Sequence, residues 1–550
     1  TNFYQKNKLA GKSPEEFSDA LLDALDVNFL GLETLQSRLP VTGANIIVAN
    51  HPYGCIEGIA LANAAKKIRP DVKVLANVAL GMFQEIQDLF IFIDPLNPNN
   101  PKNVNALRAC KTHLKQGGCL VVFPAGKVAE YSHHHNAVID VAWNRIAAHL
   151  AKSTDTPVLP IYFAGHNSAL FVNAGRVWSK FKLLLLFREL LKSHGKSIEV
   201  KVGHVISTSV LSAVSETNSL NDFLRLQVYL LNNQGHDAWQ ENHAVNGCSS
   251  IAEPVFPEVI AAEIDSLPES QRLLEYKGFE VYFSEYEQTP NVVYEIARQR
   301  ERVFRQHNEG SGQAIDTDQF DHTYVHLFIC DQHSKEIIGA YRMGRSDVLI
   351  DKYGLDGLYL SRMFDFTSGF INRQTPCLEM GRSFIVPEHQ KSFYGLYLLW
   401  RGIGEYLVKH PQYRTLYGTV SISKLYNPVS VQVIQQGVLQ PDDAVTPKTS
   451  FNLPTNKSLM DFLAKHKAQK KIISAIVKGI EADGKDVPIL MKHYEKMSAR
   501  FYCIGLDKHF NNTPGLLLSV DMPNAPQKML KQYLGAGLQE YLEFERKKGQ

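Results

Sequence analysis

Apolar positions in the N-terminal part of the chain follow two rhythms. The opening one is helical: Ser13, Pro14 and Glu16 place an N-cap, a first-turn proline and a glutamate three residues after the cap, with Phe17, Leu21, Leu22 and Leu25 behind them. Short apolar runs rich in β-branched residues then recur at 45–49, 72–75, 90–93, 119–123 and 158–163, separated by stretches long enough for helices. Strands alternating with helices predict a largely parallel, buried sheet. Residues 197–205 alternate, with Ile198, Val200, Val202 and His204 on one face, and predict one more strand near the sheet edge.

From 232 to 253 the sequence is polar, rich in Asn, Gly, Ser and His, and without periodicity, which marks a domain boundary. Beyond it, strands are predicted at 278–283, 325–330, 337–343 and 378–386, and helices at 292–306 and 394–408. The expected organisation is a first α/β domain over 1–240, a linker region over 241–270 and a second, less regular α+β domain over 271–550. No internal repeat relates the two.

With 550 residues and roughly 150 per domain, two to four cores are expected, and 44% apolar against 21% charged residues is a globular composition. A net charge of +2 gives no footprint for nucleic acid. Seven scattered cysteines without a C-x-x-C pair suit a reducing compartment. The most apolar run, 181–191, is interrupted by Lys182, Arg188 and Glu189 and falls short of a membrane span. The chain begins at Thr1, so nothing is read about a cleaved targeting segment.

The strand at 45–49 runs straight into Asn50-His51-Pro52-Tyr53-Gly54-Cys55-Ile56-Glu57-Gly58. Proline and glycine turn the chain where His51 emerges, and Glu57 falls in the first turn of the next helix, where the dipole favours a carboxylate. A histidine facing such a carboxylate is an oriented general base. Taken alone, the pair reads rather as a surface histidine beside a solvated glutamate. Phe123-Pro124-Ala125-Gly126-Lys127 and Val158-Leu159-Pro160-Ile161 follow later. Together these blocks resemble the PlsC-like glycerolipid acyltransferases, and more closely their hemolysin-like branch. The likeness spans about 30–210, including Gly165-His166-Asn167-Ser168 and Leu186-Phe187-Arg188-Glu189-Leu190.

That resemblance implies that His51 deprotonates an acceptor hydroxyl attacking an acyl thioester, that Glu57 orients it, and that Asn50, Phe123, Pro124, Gly126 and Lys127 bind substrate. Two departures matter: Asp94 stands where glycerol-phosphate enzymes carry arginine, and Ala125 replaces the third-block glutamate. An aspartate repels a phosphate, so the acceptor is expected to be another kind of hydroxyl. His133-His134-His135 invites a metal reading, but neighbouring histidines diverge and no acid completes a set, so no metal is expected. Cys55 is read as a buried thiol rather than a nucleophile.

The second domain carries Arg298, Arg302 and Phe304, then Asp316, Asp318 and Asp321, then Gly339-Ala340-Tyr341-Arg342 and Leu378-Glu379-Met380-Gly381-Arg382-Ser383-Phe384. The arginines alone read as a solvated helix face. In order, the patterns R-x-x-x-F, D-x-D-x-F-D, G-x-Y-R and L-E-x-G-R-S-F resemble the acyl-homoserine-lactone synthases and, more closely, the ornithine-lipid N-acyltransferases, both GNAT-like, over about 272–430. Leu398-Leu399-Trp400-Arg401 and Gly418-Thr419-Val420-Ser421 extend the likeness. It implies Glu379 as base for an amine, with Arg302, Asp318, Asp321, Arg342 and Arg382 binding substrate. For Glu379 and Arg382 to share a site, the strand must break its alternation at 380–382, and Gly381 most readily permits a bulge there.

Residues 386–395 lack the Q/R-x-x-G-x-G/A loop that cradles the pyrophosphate of coenzyme A, which favours acyl carrier protein, through its phosphopantetheine, as donor and requires no other cofactor. Lys391, Arg401, Lys409 and Arg414 are candidates for docking that acidic partner. The two resemblances imply a bifunctional aminolipid synthase, ornithine favoured. It would N-acylate an amino acid with a 3-hydroxyacyl group and then esterify the hydroxyl of the lyso-lipid intermediate. It would work at the cytoplasmic face of the inner membrane, with 181–188 as an interfacial patch or a buried helix. The alternatives are a lysophospholipid acyltransferase with a degenerate GNAT-like module, and a non-catalytic, membrane-active hemolysin-like protein.

Overall fold

The computed structural model describes residues 2–94, 100–132, 137–174, 182–214, 216–233, 248–372, 374–392, 394–449, 451, 457–466 and 470–548. The chain divides into two compact units, 1–236 with 455–486, and 237–454 with 487–550.

The first unit contains β1 (Asn28–Leu30), β2 (Asn45–Ala49), β3 (Val72–Asn77), β4 (Phe90–Ile93), β5 (Cys119–Val122), β6 (Glu130–Ser132), β7 (Ala137–Ile139), β8 (Val158–Phe163) and β9 (Ser197–Val202). β6 and β7 form a separate hairpin; the others make one sheet in the order β1-β9-β8-β2-β5-β3-β4. Only β8 and β9 run antiparallel. Every residue of β2 and β5 is buried, as expected of strands covered on both faces. Under one face Ile47, Val121 and Leu159 share a core with Phe17 and Leu21 of the helix Pro14–Leu25, which starts on the expected Ser13–Glu16 capping box.

One expectation is corrected here. The second domain is not continuous from 271 to 550, because 455–486 returns to the first unit. The helix Lys470–Ile480 carries Ile472, Ile473, Ile476, Val477 and Ile480, all buried. With Lys457–His466 it packs on the helix Thr217–Leu230, where Phe462 meets Phe223 at 6.1 Å and Lys465 pairs with Asp222 at 2.9 Å. Such an amphipathic stripe must be covered, and sequence order does not say by which surface.

The second unit contains β10 (Arg272–Tyr276), β11 (Phe279–Ser284), β12 (Val325–Asp331), β13 (Ile337–Arg345), β14 (Phe364–Phe366), β15 (Cys377–Ile385), β16 (Thr415–Ser421), β17 (Val445–Pro447), β18 (Arg500–Asp507) and β19 (Thr513–Asp521). β14 and β17 pair by themselves; the other eight form a sheet in the order β10-β11-β12-β13-β15-β16-β19-β18. The helix Tyr394–Lys409 packs on it and buries Leu398, Leu399, Trp400, Ile403, Tyr406 and Leu407.

Two irregularities in this sheet shape the site. β15 and β16 are its parallel pair, and they are matched only over 377–380 and 415–418. Beyond that, Gly381, Phe384 and Ile385 stay with β13 while 419–421 stay with β19, so the strands part in a wedge. β15 also bulges: Ala340 and Arg342 face Phe384 and Gly381, two steps against three. The residue with the left-handed backbone is Arg382 (φ 52°), not Gly381. The break falls within the expected 380–382, on Arg382 rather than on Gly381, and with it Glu379 and Arg382 line one cavity.

Candidate active sites

In the first unit the parallel strands β2, β5 and β8 bring Asn50, Phe123 and Ala164 to one edge of the sheet, the usual place for a site in such a fold. Gly54 (φ 89°) turns the chain into the helix Ile56–Ile68, and a Cβ there would overlap Val128 and Leu186. The turn aims three consecutive N–H groups at Glu57, from Tyr53 (2.9 Å), Gly54 (2.7 Å) and Cys55 (3.1 Å). Glu57 is fully buried, and its Oε1 lies 3.1 Å from His51 Nδ1.

Burial opposes the charge on Glu57, but the imidazole and the N–H groups outweigh it and hold the carboxyl below its ordinary pKa. Burial likewise pulls His51 down, and Glu57, aided by Asp140, more than reverses this. With Nδ1 facing the carboxylate, Nε2 is the nitrogen placed to take a proton from a hydroxyl. His51 retains 17% exposure and lies 4.6 Å from the Phe123 ring.

Sequence reasoning missed Asp140, which has no motif around it. It accepts from the His51 N–H (3.0 Å) and from Trp143 Nε1 (2.8 Å) and so fixes the histidine's main chain. The later motifs fasten the same loop: Asn167 donates to the Tyr53 carbonyl (3.0 Å), and Ser168 donates through N and Oγ to buried Glu189 (2.9 and 2.7 Å).

Asn50 needs correction. Its amide is used at both ends by Phe163, accepting from N (2.7 Å) and donating to O (2.8 Å), so it joins β2 to β8 rather than binding substrate. Pro124 is buried with its carbonyl taken by the Asn144 N–H, Gly126 (φ 61°) closes the turn onto Phe123, and Lys127 is exposed. Asp94 accepts from Asn100 Nδ2 at 3.3 Å at the start of the helix Pro101–Lys115. Burial, then the Glu57 charge, pushes the Cys55 thiol up to about 12, which leaves it no nucleophile. His133, His134, His135 and Phe181 lie outside the described residues.

In the second unit the wedge opens into a cavity of about 90 Å³ whose lining includes Arg342, Tyr359, Glu379, Arg382, Ser421 and Asp507. Glu379 is buried and accepts from Tyr324 Oη (2.7 Å), Leu360 N (2.8 Å) and Tyr359 N (3.1 Å). Burial dominates these bonds and the Arg342 charge, and pushes the carboxyl up to about 7. Arg342 donates to Asp318 (2.6 and 3.1 Å) and Asp321 (3.0 Å). Asp321 is held well below its ordinary pKa: burial opposes, but Arg300 and Arg342 prevail. Arg382 donates to Tyr359 Oη at 2.9 Å and lies 3.7 Å from both Asp316 and Asp318, and Tyr359 Oη donates to Asp507 at 2.6 Å.

Arg302 is a second correction. It bonds Gln299 and Glu388 and, among the described residues, shares no partner with this network. The helix arginine that joins is Arg300, 1% exposed and bidentate to Asp321 at 2.9 Å. Its signal was the first residue of R-x-x-x-F ending at Phe304. A two-residue step on a helix turns a side chain through about 200° at 3.6 residues per turn, so the two face opposite ways. Tyr324, Tyr359 and Asp507 were also missed, for they stand in no motif. Of the proposed docking residues, Arg401 and Arg414 are tied to the Tyr533 and Tyr541 carbonyls, while Lys391 and Lys409 are exposed.

Two oriented bases, each in its own domain, fit acyl transfer, and the chain is an acyltransferase. Residues 4–238 match the Acyltransferase family and residues 299–401 the Acetyltransferase (GNAT) domain. The chain is 27% identical over 290 residues to a glycine N(alpha)-acyltransferase of Phocaeicola vulgatus, covering 49% of this chain and 89% of that protein. Its similarity to the glycine N(alpha)-acyltransferase of Bacteroides thetaiotaomicron is 28% over 293 residues, 49% of this chain and 86% of that one. A lyso-glycine lipid O-acyltransferase of Phocaeicola vulgatus is 27% identical over 228 residues, 39% of this chain and 77% of that protein.

Proposed function

We propose that this chain makes an amino-acid lipid in two steps, N-acylation in the second unit followed by O-acylation in the first. The observation that carries the reading is the presence of two separately oriented buried bases, Glu379 in the second unit and the His51–Glu57 pair in the first. The relatives support it, since separate proteins of Phocaeicola vulgatus bear the names of the two reactions and this chain is similar to both.

In the first reaction an ammonium must lose a proton before it can attack. A carboxyl near pKa 7 takes that proton at neutral pH far better than an ordinary carboxylate would. The wedge between β15 and β16 accepts the thioester arm. Thr513 Oγ1, a buried polar atom in the cavity lining without a hydrogen-bond partner among the described residues, is available to the acceptor. The donor is a 3-hydroxyacyl carrier protein, because β15 leads at Val386 into the four-residue helix Pro387–Gln390 and not into a pyrophosphate loop. In the second reaction His51 Nε2 takes the proton of the 3-hydroxyl as it attacks a second thioester, and Glu57 stabilises the imidazolium. That acceptor bears no phosphate, in keeping with Asp94 at the end of β4.

The amino acid is ornithine by the motif resemblance, whereas the relatives' names put glycine beside it. Among the described residues no helix is long and apolar enough to cross a membrane; attachment at the cytoplasmic face of the inner membrane is part of the proposal. Expression in a bacterium that makes no aminolipid is the test. A ninhydrin-positive lipid with one amide-linked and one ester-linked chain is expected, and the head-group mass identifies the amino acid. If no such lipid forms from soluble, folded protein, the proposal fails. Purified protein should also use 3-hydroxyacyl carrier protein much faster than the coenzyme A ester, and equal rates would remove the carrier-protein donor.

A further inference from the structure

A second buried carboxyl beside the wedge has no role in the chemistry described so far. Glu309 is 6% exposed, and its main chain is tied to Phe304 by a 3.0 Å hydrogen bond. Its Oε2 lies 3.1 Å from Ser421 Oγ. Ser421 is the last residue of β16 and lines the cavity on the wall opposite Arg382 and Ser383 of β15. The charge that faces Glu309 from across the wedge is Arg382. Lys424, beyond β16, is turned to the Asn511 carbonyl, and the carbonyl of His307, two residues before Glu309, takes the Ser423 hydroxyl.

We infer that Ser421, oriented by Glu309, is the acid that protonates the sulphur leaving group in the amine-acylating reaction. A serine hydroxyl has one hydrogen. When Glu309 is ionised it draws that hydrogen to itself. When Glu309 is protonated it donates its own hydrogen to Ser421 Oγ, and the serine hydrogen is freed toward the cavity. Burial pushes the Glu309 carboxyl up to about 7, so both arrangements are populated near neutrality.

The step balances. The ammonium first passes one proton through Glu379 to solvent; the free amine nitrogen then bonds to the thioester carbonyl carbon, the C–S bond breaks, and Glu379, ionised again, takes the second proton from nitrogen. Ser421 gives its hydrogen to sulphur and is refilled from Glu309. The products are an amide and a thiol, with one proton moved from Glu309 to Glu379 and restored by exchange with solvent. Glu309 is thus a positioning residue and Ser421 a catalytic one.

This assignment rests on the wedge seating the donor thioester. It is tested on the full chain with one 3-hydroxyacyl group carried on two thiols, pantetheine and the more acidic thiophenol, whose thiolate leaves without help. Ser421→Ala should slow transfer from pantetheine by about 100-fold, within the usual range for a general acid, and from thiophenol far less. Glu309→Gln keeps a hydrogen-bond donor beside Ser421 at every pH but has no acidic proton to refill it. It should slow transfer from pantetheine about as much as Ser421→Ala, spare thiophenol, and leave a rate that no longer falls above pH 7 while keeping the Glu379 limb below it, with melting temperatures unchanged in both variants. Equal slowing with the two thiols, or an unchanged alkaline limb in Glu309→Gln, overturns the assignment and leaves the wedge reading standing. If the unaltered chain transfers from neither thiol, both fall.

Discussion

Glu57 and Glu379 are both buried carboxyl groups that accept three hydrogen bonds, yet their pKa values move in opposite directions. Glu57 has a histidine to share its charge, whereas Arg342, the cation whose charge favours the ionised form of Glu379, is already committed to Asp318 and Asp321. Each can then do what the other cannot: Glu57 stays ionised to orient an imidazole, and Glu379 exchanges a proton near neutrality. On the proposed mechanism Glu379 works deprotonated, so N-acylation should fall as pH drops through about 7, and a pH–rate profile checks this. Glu379→Gln should cost about 100- to 10,000-fold in N-acylation and remove both lipids in a cell, while supplied lyso-lipid restores esterification. His51→Ala should do the reverse and accumulate a ninhydrin-positive lipid with one chain, visible by mass spectrometry. Because Glu57 raises the His51 pKa, esterification should also decline from a higher pH than an ordinary histidine would set.

Among elements, the wedge between β15 and β16 depends on how closely the strands approach at their last matched pair, Met380 and Gly418. A Cβ on Gly418 would lie 2.5 Å from the Met380 carbonyl oxygen, which is backbone and cannot swing away. One on Gly381 meets nothing within 4 Å. Gly418→Ala should therefore lower the melting temperature, at about 1–3 kcal/mol for forced overpacking, and N-acylation with it. Gly381→Ala should leave both near their original values. The bulge itself was legible as a requirement, since residues three apart cannot share a strand face. Which residue adopts the left-handed backbone was not, because the burial of Arg382 among Asp316, Asp318 and Tyr359 holds it there against the local preference for glycine.

At the scale of the whole molecule, the return of 457–480 to the first unit couples the two halves of the chain through its path alone. Ile476 is fully buried in that return, although it lies far along the chain from His51. Ile476→Ala should destabilise the first unit by about 2–5 kcal/mol and depress O-acylation before N-acylation, measured as separate melting and activity curves. A loss confined to N-acylation would contradict the assignment of this segment to the first unit.

What the sequence determined was local. Solid apolar runs became β2, β4 and β8 at the predicted residues, Ser13 and Glu16 capped a helix, and the histidine motif placed Glu57 in a helix's first turn. These depend on spacing within a few residues, where steric and hydrogen-bonding preferences act directly. The tertiary structure decided that Arg300 and not Arg302 enters the ion network, that Asn50 serves the sheet, and that Asp140 holds His51. It also brought Asp507 to Tyr359 and the helices Lys457–His466 and Lys470–Ile480 to the first unit. Each of these is a contact between residues distant in the chain, and its partner is chosen by which buried charge or apolar face is left to satisfy once the sheets have formed.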